Sequence, residues 1–120
     1  MTADEILLTL PAEDAFQGVA HLVLGGLAVR LDLTFETLED LELGLDAVLG
    51  RIRHGGDVTV AVRVQPGELV TRVGPVGDGL RAELTTSPQE ELGLRRILET
   101  VADRVEFSSD GRWLELAKSV

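Results

Sequence analysis

The sequence predicts a two-layer α+β sandwich: a mostly antiparallel sheet with helices on one face. Three observations predict it. Hydrophobic periodicity switches between two and about 3.6 residues along the chain, marking separate strands and helices. A Pro-Gly pair and an Asp-Gly pair each join two period-two runs, which makes antiparallel hairpins. The helical runs are grouped instead of alternating strictly with strands, which argues against a doubly wound parallel sheet. With 120 residues, the chain reads as one domain over 1–120.

The first run is Glu5 to Leu10. Ile6, Leu8 and Leu10 alternate with Glu5, Leu7 and Thr9, and Pro11 closes a short strand. Phe16, Val19, Ala20, Val23, Leu24 and Leu27 then recur at helical spacing. Glu13 and Asp14 suit the positive end of that helix, predicted over 13–29. Gly25-Gly26 could break it or admit a close neighbour. A second helix is predicted over 34–53, with Thr34 as N-cap and Glu36 in the first turn. Its apolar stripe is Leu38, Leu41, Leu45, Val48, Leu49 and Ile52. Glu39, Glu42, Asp46, Gly50 and Arg53 run along one edge of that stripe, and Gly55-Gly56 stops the helix.

Val58, Val60, Val62 and Val64 restore period two, Pro66-Gly67 makes a type II turn, and Leu69 to Val73 returns. Gly74 to Gly79 reads as loop, and Leu80 to Thr86 fits neither period. Ser87-Pro88-Gln89-Glu90 is a capping box with proline at the first helical position. It opens a third helix, predicted over 88–103, whose stripe is Leu94, Ile97, Leu98 and Val101. Val105 to Phe107 and Arg112 to Lys118 form the last hairpin around Asp110-Gly111.

Composition excludes several chemistries. Without cysteine there is no disulfide, thiolate metal site or thiol nucleophile. Twenty-one acids against eleven bases give a net charge of -10, which argues against a nucleic-acid partner and an anionic membrane. No apolar run reaches membrane-spanning length, and the acidic Met1 to Glu5 segment is unlike a secretory signal, so a cytoplasmic location is expected. Ten arginines, one lysine and no asparagine or tyrosine match codon bias in a high-GC genome.

Catalytic candidates are sparse. His21 and His54 form no His-x-x-x-His pair, and no metal site is expected. His54 reads as a helix-end residue, and no serine lies in Gly-x-Ser-x-Gly. The Gly74 to Gly79 run matches no phosphate-binding motif and by itself reads as a surface turn. The acidic segment Glu36 to Glu42 by itself reads as a solvated helix face.

The order of elements and three local patterns resemble the GHKL, or histidine-kinase-like ATPase, superfamily. The nearest branch is the bacterial anti-sigma factors that double as serine kinases in partner switching. Asp40 to His54 resembles the acid-bearing nucleotide helix, the hairpin after it matches in place, and Leu92 to Val105 resembles the glycine-rich box and third helix. The resemblance implies Mg-ATP as cofactor, and a sigma factor, an anti-sigma antagonist or a second copy as partner. Asp46 falls at the position of the family glutamate that orients the attacking group. Gly50 falls where the family asparagine holds magnesium, and glycine offers no oxygen ligand there. In the adenine box, Gly74 stands near the expected aspartate, with Asp78 and Gly79 a few residues on. Gly93 keeps one glycine of the lid box, and Glu91 replaces the other.

The resulting expectation is a regulator that works through protein contacts, with the nucleotide chemistry lost or weakened and no cofactor. An active ATP-dependent serine kinase and an unrelated ligand-binding α+β domain are the alternatives.

Overall fold

The computed structural model describes residues 5–13, 16–52, 56–86 and 93–119. Five strands form one antiparallel sheet: β1 (Glu5–Pro11), β2 (Asp57–Gln65), β3 (Glu68–Gly74), β4 (Arg104–Phe107) and β5 (Leu114–Ser119), in the order β1-β2-β3-β5-β4. Four helices, α1 (Gln17–Arg30), α2 (Phe35–Leu49), α3 (Asp78–Thr86) and α4 (Leu94–Val101), pack on one face. This is the predicted α+β sandwich, and it is consistent with a GHKL-like fold.

Alternation along the strands decides which face is covered. Leu8, Val60, Val73, Leu114 and Phe107 lie in one row across all five strands and face the helices. The other face carries arginines opposite small or apolar residues: Arg72 opposite Ala61, Arg63 opposite Val70 and Arg104 opposite Ala117. Ala61, Val70 and Ala117 are buried although no helix among the described residues covers them. Arginine side chains stand beside them on this face, and the Nε of Arg63 is itself buried with no hydrogen-bond partner among the described residues. Arg104 ends among Glu68, Glu106 and Glu115, and Arg72 stacks on Trp113, 5.3 Å from the ring centre.

Helix α1 begins later than the periodicity predicts. The Ala12 N–H donates to the Gly56 carbonyl at 3.0 Å and keeps the chain against the sheet beyond Pro11. The helix runs straight through Gly25 and Gly26, and no neighbour approaches either within 4 Å. It ends in a Schellman motif. Asp32 takes the left-handed conformation (φ 55°), its N–H donates to Val29, and the Leu33 N–H reaches back to Ala28 at 2.9 Å. Aspartate tolerates this conformation better than most side-chain-bearing residues, and no glycine signal marks the stop.

Thr34 caps α2 as predicted, its hydroxyl accepting the Thr37 N–H at 3.1 Å. The helix ends at Leu49, short of residue 53. The Gly50 N–H still donates to Asp46, and beyond it the hydrogen bonds tighten to i→i−3, with Arg51 N–H to Val48 and Ile52 N–H to Leu49. Ile52 is nevertheless buried. Gly44 lets α4 lie close: a Cβ there would stand 3.2 Å from Val101.

The fourth helix is new relative to the sequence reading. The loop is only residues 75–77, and Asp78–Thr86 is α3, held by the buried pair Leu80 and Leu84. Two apolar residues four apart are too few to establish a period, so the segment was ambiguous in sequence. The Arg95 guanidinium of α4 donates to the Leu84 carbonyl at 2.8 Å and ties α3 to α4. The predicted start of the third helix and its capping box, Ser87 to Glu90, lie outside the described residues, as do His54 and Glu91. Both hairpins form as predicted, with Gly67 at φ 74° in the first turn. Strand β5 starts at Leu114, two residues later than predicted. The Arg112 N–H is taken up by the Asp110 carboxylate, and that of Trp113 by the Ser108 hydroxyl, both in the turn.

Two predictions follow from this packing. Leu45 and Val48 are 1% and 0% exposed at the centre of the core. Leu45→Ala is expected to cost about 2–5 kcal/mol, read by urea denaturation, and a cost under about 1 kcal/mol would contradict the packing. The second concerns acid. The Ser119 main-chain N–H holds the Asp103 carboxyl below its ordinary range. The Ser108 hydroxyl, then the Arg112 N–H, do the same for Asp110. A lowered folded-state pKa stabilises above the ordinary value of 3.8 and is lost as pH falls through the lowered value. Asp103→Ala and Asp110→Ala should lower Tm at neutral pH, with the gap to the parent closing under strong acid in thermal scans.

Candidate functional site

Glu39 is exposed, but the Glu42–Asp46 part of the acidic edge of α2 is not left to open solvent. It faces α1, and His21 stands between its two carboxylates. His21 Nε2 lies 2.7 Å from Asp46 Oδ1, and Nδ1 lies 3.0 Å from Glu42 Oε2. Sequence spacing accounts for the geometry. Glu42 and Asp46 are four apart on one helix face, and the antiparallel neighbour places one residue of α1 opposite both. One turn along, Gly50 faces Gln17, whose side-chain nitrogen would be 4.0 Å from a Cβ at position 50.

The arrangement has limited chemistry. When its ring is protonated, His21 donates from both nitrogens, one to each carboxylate; when neutral it donates to only one. The carboxylates occupy opposite sides of the ring, so the three groups do not converge on a point where a metal could sit. Among the described residues, no group of three metal-ligating side chains is placed to hold an ion. All three side chains are partly exposed, at 38% for His21, 28% for Glu42 and 38% for Asp46, so the clamp is a screened surface network.

The other positions marked by the resemblance lie elsewhere. Gly74 is on the sheet face away from the helices, in register with Thr59. A Cβ there would stand 2.6 and 2.8 Å from Trp113 ring carbons, so the indole packs directly on the backbone. Asp78 and Gly79 form the exposed first turn of α3. Gly93 is buried and precedes α4 in an extended conformation. Asp46 and Gly50 thus share one helix edge turned toward α1, while Gly74 belongs to the opposite side of the sheet.

His21 is the residue that sequence reasoning passed over. Its signal was present in the i, i+4 pair Glu42 and Asp46, but the partner came from a helix whose rotation the sequence left open. Two cavities stand out. A small apolar void of about 10 Å³ beneath α1, lined by residues such as Leu24, Leu45 and Val60, is too small for a ligand. An open groove of about 380 Å³ lies where α1 meets α2. Among the described residues, no helix is long and apolar enough to cross a membrane.

A five-stranded antiparallel sheet with helices on one face and an acid-bearing second helix defines the class of protein to which the GHKL resemblance points. Comparison with known proteins gives a more particular relationship. The chain is 30% identical over 94 residues to the serine-protein kinase RsbW of Listeria innocua, covering 72% of this chain and 59% of that protein. It is 28% identical over 99 residues to RsbW of Bacillus velezensis, and 28% identical over 98 residues to RsbW of Bacillus subtilis. The chain spans about three fifths of the length of these curated relatives. No family model matches it. The chain is therefore a distant homologue of the RsbW serine-protein kinases.

The clamp generates a prediction. His21→Ala leaves two like charges four residues apart and should destabilise by about 1 kcal/mol in chemical denaturation. Glu42→Gln in the His21→Ala background should recover part of that loss by removing the repulsion. No recovery would show that His21 contributes packing alone.

Proposed function

We propose that this chain is a regulator of the anti-sigma type that acts through protein contacts in partner switching, with the nucleotide chemistry of its kinase relatives lost or weakened. The observation that carries the reading is the edge of α2. Asp46, at the position of the family acid, is engaged by His21, and Gly50, at the position of the family magnesium ligand, has no side chain. Magnesium requires oxygen ligands in tight octahedral geometry, and phosphoryl transfer depends on it to neutralise developing charge. The chain contains no asparagine that another register could supply. Trp113 packed on Gly74 further separates this chain from an adenine-binding arrangement. These residues do not fit Mg-ATP.

A cytoplasmic location and a sigma factor or anti-sigma antagonist as partner belong to the same reading and rest on the resemblance to the kinase branch. The second reading, an active serine kinase, rests on the name its relatives carry.

One experiment separates the two. Purified protein is incubated with radiolabelled ATP, Mg²⁺ and candidate antagonist proteins. The expected result is no phosphate transfer above background. Loss of a metal-centred contact costs several kcal/mol of transition-state stabilisation, and each 1.36 kcal/mol is a factor of about ten in rate. Transfer that disappears in Asp46→Ala would establish a working nucleotide site and the kinase reading. Calorimetric titration with Mg-ATP and Mg-ADP separately reports whether nucleotide still binds.

A further inference from the structure

We propose that the groove where α1 meets α2 is the docking site for a basic amphipathic segment of a protein partner, an inference that rests on reading the chain as a regulator acting through protein contacts. The groove is open, about 380 Å³, with Ala28, Val29, Leu33, Phe35 and Leu38 among its apolar lining. Val29 is 84% exposed and Phe35 73% exposed. Leu22, 79% exposed, lies two helical turns before Val29 and extends the same apolar face along α1. Single exposed apolar residues are ordinary, but two large ones lining a groove, with a third on the same face of α1, form a patch. The core is closed without them, since α1 already buries Ala20, Leu24, Leu27 and Ala28 beneath.

Charge selects the occupant. Asp32 lines the groove, while Glu36 and Glu39 follow Phe35 and Leu38 directly. All three acids are exposed, and no ion pair among the described residues engages them. Arg30 is the base beside them in sequence. The N-terminus of α2 adds little positive field here, because Thr34 caps it and Glu36 sits in its first turn. A lysine- or arginine-bearing helix with an apolar stripe fills the groove and pairs with the acids. A second copy of this chain would set the same acids against a protein of net charge -10. An anionic bilayer would be repelled for the same reason.

The test uses the full chain, isotope-labelled, in NMR titrations with three synthetic peptides. These are an amphipathic leucine–lysine helix, its scrambled isomer, and a leucine–glutamate helix. The leucine–lysine helix is expected to shift the amides of Gly25, Val29, Phe35 and Leu38, and to bind at least roughly tenfold more tightly than the other two. Val29→Ser with Phe35→Ser, and separately Glu36→Lys with Glu39→Lys, should each weaken it by roughly tenfold or more. Glu99→Lys with Glu106→Lys, the same charge change on α4 and β4, should leave affinity within about twofold. Circular dichroism checks that each variant is folded. Shifts centred elsewhere, equal binding of the acidic helix, or an equal loss in the control variant would overturn the proposal. So would self-association in sedimentation abolished by Phe35→Ser, which makes the occupant a second copy, or binding to anionic phosphatidylglycerol vesicles through Val29 and Phe35, which makes it lipid. Phosphate transfer in the kinase assay would remove the preceding functional reading while leaving this mapping intact, and a failed mapping without turnover would remove the groove alone.

Discussion

The burial of one face of α2 against the centre of the sheet is the constraint on which the helix layer depends. Leu41, Leu45, Val48 and Leu49 go inward, and with them the rotation of α2 about its axis is set. Everything on its flanks follows. Gly44 turns toward Val101 and brings α4 close on one side. Glu42, Asp46 and Gly50 turn toward α1 on the other. Lys118, the chain's single lysine, reaches Asp40 from β5 at 3.0 Å and ties the helix to the sheet. A screened pair of this kind orients more than it stabilises; the apolar stripe supplies most of the energy.

The same rotation gives the acidic edge its meaning. A carboxylate that is to orient an attacking group must be free to face the reactant. Asp46 is instead paired with an imidazole, and Glu42 holds the other ring nitrogen. The clamp offsets the mutual repulsion of two acids on adjacent turns and joins the first half of α1 to the second half of α2. Across this edge the clamp holds two helices together. Such a contact is compatible with the distant relationship to serine-protein kinases, because the fold needs the apolar side of α2 and is indifferent to the chemistry of its edge.

Most of the architecture was legible in the sequence because it is written in periods and turns. The valines of β2, the Pro66-Gly67 and Asp110-Gly111 turns and the Thr34 cap each act locally, and each forms as their chemistry dictates. What escaped was non-local or too short. Helix α3 carries two buried apolar positions, Leu80 and Leu84, fewer than a period requires. The stop of α1 uses Asp32 in a conformation usually signalled by glycine, while the actual glycine pair lies inside the helix and stops nothing. Of the candidate site, the alignment of Glu42, Asp46 and Gly50 on one edge was legible. Their partner His21 was not, because it depends on how two helices meet.

The two ends of the α1–α2 seam divide the work. Toward the start of α1 the seam is closed by the polar contacts of His21 with its two carboxylates, and Gln17 lies beside Gly50. Toward the α1–α2 turn no such contact among the described residues spans it, and the groove opens with Val29 and Phe35 in its lining. A helix pair joined by its polar contacts at one end leaves an apolar cleft at the other that the core does not need. To the extent that packing already orders the two helices, an occupant need not repay that ordering on binding. The clamp and the groove are then two consequences of one packing decision, and a fold shared with kinases is suited to recognition on a surface apart from the positions where kinase chemistry would sit.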